Sequence, residues 1–264
     1  MFEGHWKNDR RFEGKEFYKN NILKYEGNFD SKNKKEGKGK KYDFSGKLQF
    51  DGLFANDVLE GKGVEYYPKE NDSGEQILKY QGYFSNNLKD GKGKLYNETE
   101  ILKYQGSFRK DKFHFTGQLY YESGAIQYDG DFENDNFHGK GTSFDKFGRV
   151  LYEGEMQNGV RTGYGHEFDK YSHIKTFEGF FKDNMYEGKG TEYWGHGKIK
   201  YKGEWAKGKK EGKGISYDWD GNKEFEGKWL KDVIKHRTIL YNFLPGQSPV
   251  LKSAREVKMD IKQD

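Results

Sequence analysis

The sequence predicts an all-β protein, an elongated single-layer antiparallel sheet of consecutive β-hairpins followed by a short C-terminal tail. A motif of the form aromatic-x-Gly-x-aromatic recurs nine times, a tenth copy ends in Met156, and a Gly-x-Gly pair follows in most units. Aromatic residues make up 17% of the 264 residues, whereas the apolar total of 32% lies below the ~45–50% of an ordinary globular domain. These observations predict a thin aromatic core spread along a repeat array.

The motif recurs at a period of roughly 24 residues, which indicates a repeat architecture. The longest interval, from Phe50 to Tyr80, contains an additional loop that begins at Pro68. The motif begins at Phe2, Tyr25, Phe50, Tyr80, Tyr104, Tyr128, Tyr152, Phe177, Tyr201 and Phe225.

Each unit is predicted to be one β-hairpin. In the unit that starts at Tyr80, the residues Tyr80, Gly82 and Phe84 alternate along the chain and therefore share one face of a strand. Turn-forming residues follow, and the return strand carries the Gly-x-Gly pair, whose glycines permit bulges or a close approach of another group. One hairpin cannot bury its aromatic face alone, so neighbouring hairpins must stack in register.

The aromatic face predicts a groove in which an extended peptide or a partner helix is held by several rings. The tyrosines are expected to be the most exposed rings, with the phenylalanines beneath them. The candidate tyrosines are Tyr25, Tyr80, Tyr104, Tyr128, Tyr152 and Tyr201, and the candidate phenylalanines are Phe29, Phe54, Phe84, Phe108, Phe132 and Phe181. The same rings also have a simpler interpretation as the packing of the fold.

A row of lysines forms a second candidate site, for an anionic ligand. Its members occupy the middle of the Gly-Lys-Gly segments, so they share one position in successive repeats and could contact lipid phosphates or acidic protein segments. Acidic residues stand two positions before most of them, so the alternative is a mutually screened, solvated edge. The row comprises Lys38, Lys62, Lys92, Lys140, Lys189 and Lys213.

Composition disfavours several other functions. The net charge is only +4, from 47 basic and 43 acidic residues, which is not the profile of a dedicated nucleic-acid binder. No Cys is present and no His or carboxylate spacing suggests a metal site, so neither a metal nor a cofactor is expected. No catalytic triad or carboxylate pair stands out either. The absence of Cys, of a signal-like N-terminus and of a long apolar run leads us to expect a cytoplasmic protein.

The repeat pattern stops after Trp229. We therefore divide the chain into an array over 1–234, of about nine repeats and a partial tenth, and a tail over 235–264. Ser248-Pro249 resembles a helix start, which predicts a short helix near 249–262. The tail either caps the last repeat or docks a partner or second copy. Its docking candidates are Leu240, Phe243, Leu244, Val250, Val257 and Ile261.

The repeats resemble the MORN repeat (membrane occupation and recognition nexus) from residue 1 to about 230. That family commonly has His before Gly-x-Gly, whereas this chain mostly has Glu or Asp there, as at Glu36, and Gly117-Gln118-Leu119 replaces one Gly-x-Gly. The resemblance implies a non-enzymatic scaffold, chiefly of cilia and the cytoskeleton, such as a radial-spoke head, with protein partners and self-association in some members. The alternatives are a membrane-surface adaptor that binds acidic phospholipids through the lysine row, or an accessory targeting subunit of an enzyme.

Overall fold

The computed structural model of the protein describes residues 1–7 and 10–240. These residues form twenty β-strands and no helix, which confirms the all-β, antiparallel hairpin fold. Leu240 is the last described residue and ends a strand. The other docking candidates, Phe243, Leu244, Val250, Val257 and Ile261, and the helix predicted near 249–262 lie outside the described residues.

The chain divides into two compact units. The first comprises Met1–Phe137 together with Lys146–Gly148, and the second comprises His138–Asp145 and the chain from Arg149 onwards. The strand β12 (Asn136–Phe144) contains this division. The predicted boundary between an array over 1–234 and a tail stays a prediction.

The first unit contains eleven complete strands, and each pairs antiparallel with the next along the chain. They are β1 (Phe2–Lys7), β2 (Arg10–Phe17), β3 (Leu23–Phe29), β4 (Lys35–Tyr42), β5 (Leu48–Ala55), β6 (Val58–Glu70), β7 (Gln76–Ser85), β8 (Leu88–Tyr96), β9 (Leu102–Arg109), β10 (Lys112–Tyr120) and β11 (Ile126–Glu133).

The second unit continues from β12 with eight further strands that follow the same consecutive antiparallel order. They are β13 (Val150–Gln157), β14 (Val160–Phe168), β15 (Lys175–Lys182), β16 (Met185–Tyr193), β17 (Ile199–Ala206), β18 (Lys209–Tyr217), β19 (Lys223–Leu230) and β20 (Val233–Leu240).

Two-residue turns close most of the described hairpins, whereas five residues join β3 to β4. Asn86 and Asn87, between β7 and β8, have φ angles of 49° and 67°. A two-residue turn that matches the twist of the strands requires positive φ at both positions, and Asn, Asp and Gly tolerate this best. The same positions elsewhere hold Asn56–Asp57, Lys110–Asp111, Asn134–Asp135, Asn158–Gly159, Asp183–Asn184, Lys207–Gly208 and Lys231–Asp232.

The second residue of most of these turns also joins its hairpin to the preceding one, in an arrangement that we call the turn latch. The Asp111 N–H donates to the Lys89 carbonyl at 2.9 Å, and Asp111 Oδ1 accepts from the Lys89 N–H at 2.8 Å. A side chain with an acceptor oxygen is therefore selected at this position. Equivalent latches join Asp57 to Lys35, Asn87 to Leu59, Asp135 to Phe113, Asn184 to Arg161 and Asp232 to Lys210.

The sheet of each unit has two different faces. The ladder face carries the motif rings, so Tyr80 and Phe84 lie on it, and an added Cβ on Gly82 or Gly93 would point into the Tyr80 ring. Residues between them in the sequence, such as Gln81 and Tyr83, project from the opposite side, which we call the open face. The core of the protein is therefore the ladder face.

Candidate interaction surfaces

The rings predicted to line a binding groove are buried. The expectation that the tyrosines are the most exposed rings is wrong, because both sets form the core. Tyr25, Tyr80, Tyr104, Tyr128 and Tyr201 are 0% exposed, Tyr152 is 3% exposed, and Phe29, Phe54, Phe84, Phe108, Phe132 and Phe181 are 2–6% exposed. Their assignment as a partner-binding groove stays a prediction, and it would require the covering side chains to move.

Five motif tyrosines lie flat across glycines of their own strand and the next: Tyr25, Tyr80, Tyr104, Tyr152 and Tyr201. A Cβ on Gly93 would stand 2.3 Å from Tyr80 Oη, so only glycine fits beneath this ring. The hydroxyl then reaches a bulge in its own strand, where Tyr80 Oη donates to the Tyr83 carbonyl at 3.0 Å. Burial raises the pKa of these phenols, and it raises that of Tyr152 to about 12. The phenols thus act as neutral donors at physiological pH.

The buried rings form edge-to-face contacts along each unit. In the first unit, the Tyr80 ring lies 5.1 Å from Phe84 in its own repeat and 5.1 Å from Phe108 in the next, at 87° and 83°. In the second unit, the Tyr201 ring lies 5.2 Å from Trp205 and 5.3 Å from Trp229. Such geometry aligns the positive edge of one ring with the negative face of another. Each hairpin is thereby locked to its neighbour.

A row of side chains from the return strands covers the ladder face. Some are aromatic, since Phe113 stacks on Tyr104 at 3.8 Å and Tyr186 stacks on Phe177 at 3.7 Å. Others are cations, since Lys89 Nζ lies 5.3 Å from the centre of the Tyr80 ring and Lys210 Nζ lies 4.9 Å from that of Tyr201. Sequence reasoning missed this covering row. The sequence does contain a pattern that could have predicted it: in many repeats an aromatic or basic residue stands about nine positions after the first ring of the motif.

Carboxylates neutralise the cations of the covering row. Glu65 Oε2 lies 2.9 Å from Lys89 Nζ, and Glu65 Oε1 accepts from Lys79 Nζ at 2.8 Å. Burial acts to raise the Glu65 pKa, but the hydrogen bonds and charges of the two lysines outweigh it and hold the pKa below its usual range. In the second unit, Glu192 lies between Lys200 and Lys210 in the same way. These charges therefore stabilise the fold.

The acidic residues that replace the histidine of the family pattern also have a structural task. Glu60 Oε2 accepts from the Asn86 N–H at 2.9 Å, and Glu187 Oε2 accepts from the Lys207 N–H at 2.9 Å. In each case the carboxylate holds the first turn residue of the next hairpin. The same bond joins Glu36 to Asn56, Asp90 to Lys110 and Glu211 to Lys231.

The lysine row lies on the open face, and all six side chains are exposed. In the first unit Lys62 and Lys92 stand two strands apart in neighbouring repeats, about 10 Å at ordinary strand spacing. Lys62 Nζ lies 5.4 Å from the centre of the Tyr83 ring, which is 42% exposed. The row is thus placed where it can contact an anionic ligand. The first unit carries Lys38, Lys62 and Lys92, and the second carries Lys140, Lys189 and Lys213.

A polar groove with glycines at its base lies on the open face of each unit. In the first unit it extends from Gln81 across Lys92 and Lys94 to Phe115 and Asp129. In the second unit, Tyr164 occupies the lysine position and pairs across the strands with Phe180, with their rings 5.5 Å apart. Both rings are more than two-fifths exposed. These two grooves present exposed side chains, whereas the motif rings of the ladder face are buried.

Neither a metal-binding cluster nor a membrane-spanning helix is found in the described part of the chain. Within residues 1–7 and 10–240, no group of three or more His, Asp or Glu residues is arranged to hold a metal ion. None of these residues forms a helix that could cross a bilayer.

This architecture defines a class of protein: a repeat array whose characteristic residues build the fold and whose open face is polar. The family model for the MORN repeat matches nine segments that together cover more than half of the chain, so the chain belongs to the MORN-repeat family. No curated protein matches the sequence. MORN arrays have structural roles in binding proteins or membranes and are generally non-catalytic. The matched segments are 2–12, 25–47, 50–71, 80–98, 104–126, 128–144, 152–169, 177–198 and 201–223.

Proposed function

We propose that this protein is a non-enzymatic scaffold subunit of a cytoskeletal assembly, in particular a ciliary axonemal complex such as the radial spoke. One observation carries the proposal. The characteristic residues of the repeats are used within the fold: rings pack on rings, acidic residues hold turns, and Asx residues latch hairpins. The open face of each unit carries exposed polar side chains, which suits attachment to other proteins.

Cell fractionation tests the proposed location. A tagged copy expressed in ciliated source cells is expected to remain with the axonemes after detergent extraction, and to be released with other spoke or axonemal subunits by high salt. The control is a soluble cytoplasmic marker in the same extract. Complete release of the protein into the detergent-soluble fraction would contradict an axonemal location.

A membrane-surface adaptor is the second candidate, and the exposed lysine row favours it. Flotation with phosphatidylserine or phosphoinositide vesicles at physiological salt tests this function directly. If it holds, Lys38→Glu/Lys62→Glu/Lys92→Glu is expected to weaken flotation, whereas Lys19→Glu/Lys32→Glu/Lys69→Glu, an equal charge change at exposed lysines outside the row, leaves it unchanged. Equal flotation of both variants, or none by the wild type, would remove the adaptor function.

A further inference from the structure

Phe115 departs from the repeat at a position where its backbone is strained. Its φ is 56°, in the left-handed region that disfavours bulky side chains. Seven other repeats place glycine at this bulge, as with Gly91 at 103° and Gly139 at 57°, whereas the first repeat has Phe12 there. The Phe115 ring is nevertheless 60% exposed, so burial does not offset the strain. A strained, exposed aromatic residue is a reason to look for a function.

The Phe115 ring lines the groove on the open face of the first unit. We define the Phe115 groove by Gln81, Lys92, Lys94, Gln105, Ser107 and Phe115. Its polar residues lie side by side across the strands, because Lys94 pairs with both Gln81 and Gln105, and Lys92 pairs with Ser107. The ring therefore provides an apolar wall beside polar rows.

The Phe115 groove is positively charged. Lys92 and Lys94 are exposed, and neither forms an ion pair with any residue that the structure describes. The carboxylates at its margin already have donors: Asp129 Oδ2 accepts from Gln118 Nε2 at 2.8 Å, and Asp90 Oδ2 accepts from the Lys110 N–H at 3.3 Å. Asp129 stays anionic because the Gln118 amide carries no charge, so two lysines and one carboxylate give the groove lining a net charge of +1, which favours an anionic partner.

The amides of the Phe115 groove indicate which anionic partner fits. The Gln81 and Gln105 side chains are exposed and make no hydrogen bond within the described part of the chain. A glutamine amide both donates and accepts, which matches the alternating groups of a peptide backbone. A phosphorylated lipid headgroup would use the lysines but would not require the acceptor oxygens of the amides or the apolar wall.

We propose that the Phe115 groove binds an acidic, extended segment of a partner protein, with carboxylates at Lys92 and Lys94 and an apolar side chain against Phe115. This rests on the proposed function as a protein-binding scaffold and names the partner chemistry. A lipid surface is the competing occupant, and the experiment below distinguishes the two.

A random dodecapeptide library, selected on the immobilised full-length chain at physiological salt, tests the proposal. Enriched peptides are expected to be net acidic and to carry at least one aromatic or aliphatic residue. Phe115→Gly introduces the glycine found at this position in seven other repeats and is expected to keep the fold while weakening peptide binding at least fivefold. Lys92→Glu/Lys94→Glu is expected to weaken binding at least tenfold.

Matched variants control for exposure and charge. Tyr171→Gly removes a ring that is 76% exposed on a turn of the second unit, and Lys170→Glu/Lys182→Glu makes the same charge change there. Both are expected to bind the peptides as the wild type does. Enrichment of non-acidic peptides, or of peptides that bind Phe115→Gly equally well, would overturn the proposal. So would a Phe115-dependent interaction with phosphoinositide vesicles but not with the peptides.

The scaffold function can fail independently of the groove. If the tagged chain leaves the axonemes on detergent extraction but Phe115-dependent peptide binding persists, the cytoskeletal location is wrong and the groove assignment stands. If axonemal retention is unaffected by Phe115→Gly and no acidic peptide is selected, the scaffold proposal stands and the groove assignment fails.

Discussion

At the residue scale, a motif tyrosine and the glycines under it form one structural unit. The Tyr80 ring occupies the space that a Cβ on Gly82 or Gly93 would need, and its hydroxyl donates to the Tyr83 carbonyl at a bulge of the same strand. The ring is fully buried although the repeat has only one layer of backbone. Glycine is therefore required here because it leaves room for the ring, whereas at the tight turns it is favoured because it adopts a positive φ.

Gly93→Ala tests this packing. The new Cβ would lie 2.3 Å from Tyr80 Oη and 2.4 Å from Cε2, so the ring must move, at an expected cost of ~2 kcal/mol in the free energy of unfolding. Urea denaturation measures this loss. Gly195→Ala is the control, because no atom lies within 4 Å of its added Cβ. Equal stability of the two variants would contradict the packing argument.

Phe115→Gly is expected to stabilise the protein. The φ of 56° costs a bulky residue ~1 kcal/mol, and the exposed ring recovers little by packing. Thermal and urea unfolding are expected to show a gain of about that size. Phe115→Ala also removes the ring but retains a Cβ, so it should gain less. A loss of stability in Phe115→Gly would show that the ring has a packing role.

Glu65 predicts a pH dependence. Since its pKa is lowered in the folded state, its ion pairs contribute stability above the unfolded-state pKa, near ~4.3, and lose it as pH falls through the folded-state value. Glu65→Gln should cost on the order of 1 kcal/mol at pH 7, and the difference from the wild type should shrink in acid. Urea denaturation from pH 7 to pH 3 measures this. Glu98→Gln, at an exposed ion pair with Lys69, should have little effect at any pH.

At the scale of the element, the hairpin is held by its turn and by the hairpin before it. The two-residue turns require positive φ, and their second residue makes the turn latch. The acidic residue before the Gly-x-Gly segment adds a bond to the first turn residue in many repeats. Neighbouring hairpins are therefore joined at their turns as well as along their strands.

Asp111→Ala tests the turn latch. Loss of the 2.8 Å bond to the Lys89 N–H, together with the positive φ of 68°, is expected to cost ~1–2 kcal/mol. Asp111→Asn retains an acceptor oxygen and a residue found at this position in other repeats, so it should remain near wild-type stability. Hydrogen exchange at the Lys89 amide should accelerate in the alanine variant alone. Unchanged exchange there would contradict the latch.

At the scale of the molecule, stability accumulates from hairpin to hairpin within each unit. The rings contact their own repeat and the next, as the two contacts of Tyr80 show. Repeat arrays of this kind behave as chains of nearest-neighbour interfaces, so a local defect should open a local segment. Within each unit the lysines of the open face remain exposed.

Tyr80→Ala tests this local behaviour. The cavity should cost ~3 kcal/mol, and exchange in β7, β8 and β9 should accelerate on the order of 100-fold. The strand β3 in the same unit serves as the internal control, because its Tyr25 ring contacts Phe29 and Phe54 rather than Tyr80. Uniform acceleration in β3 and β8, measured by hydrogen exchange and mass spectrometry, would show global rather than local unfolding.

The sequence by itself determined the hairpins, their antiparallel order and their rings, because alternation, glycine spacing and turn chemistry act over a few residues at a time. The face of the strand on which Tyr80 lies and the turn at Asn86 could be predicted in this way. The lysine row could also be placed on one face, since its members share a single register.

Only the tertiary structure decided which surface is exposed. Periodicity identifies the ladder face but does not show that Lys89 and Glu65 cover Tyr80, because these side chains come from the return strand of the same repeat and from the repeat before it. The strain at Phe115 likewise depends on the backbone of the bulge. Burial is a property of several strands together, and it moved the candidate interaction surface from the aromatic ladder to the open face.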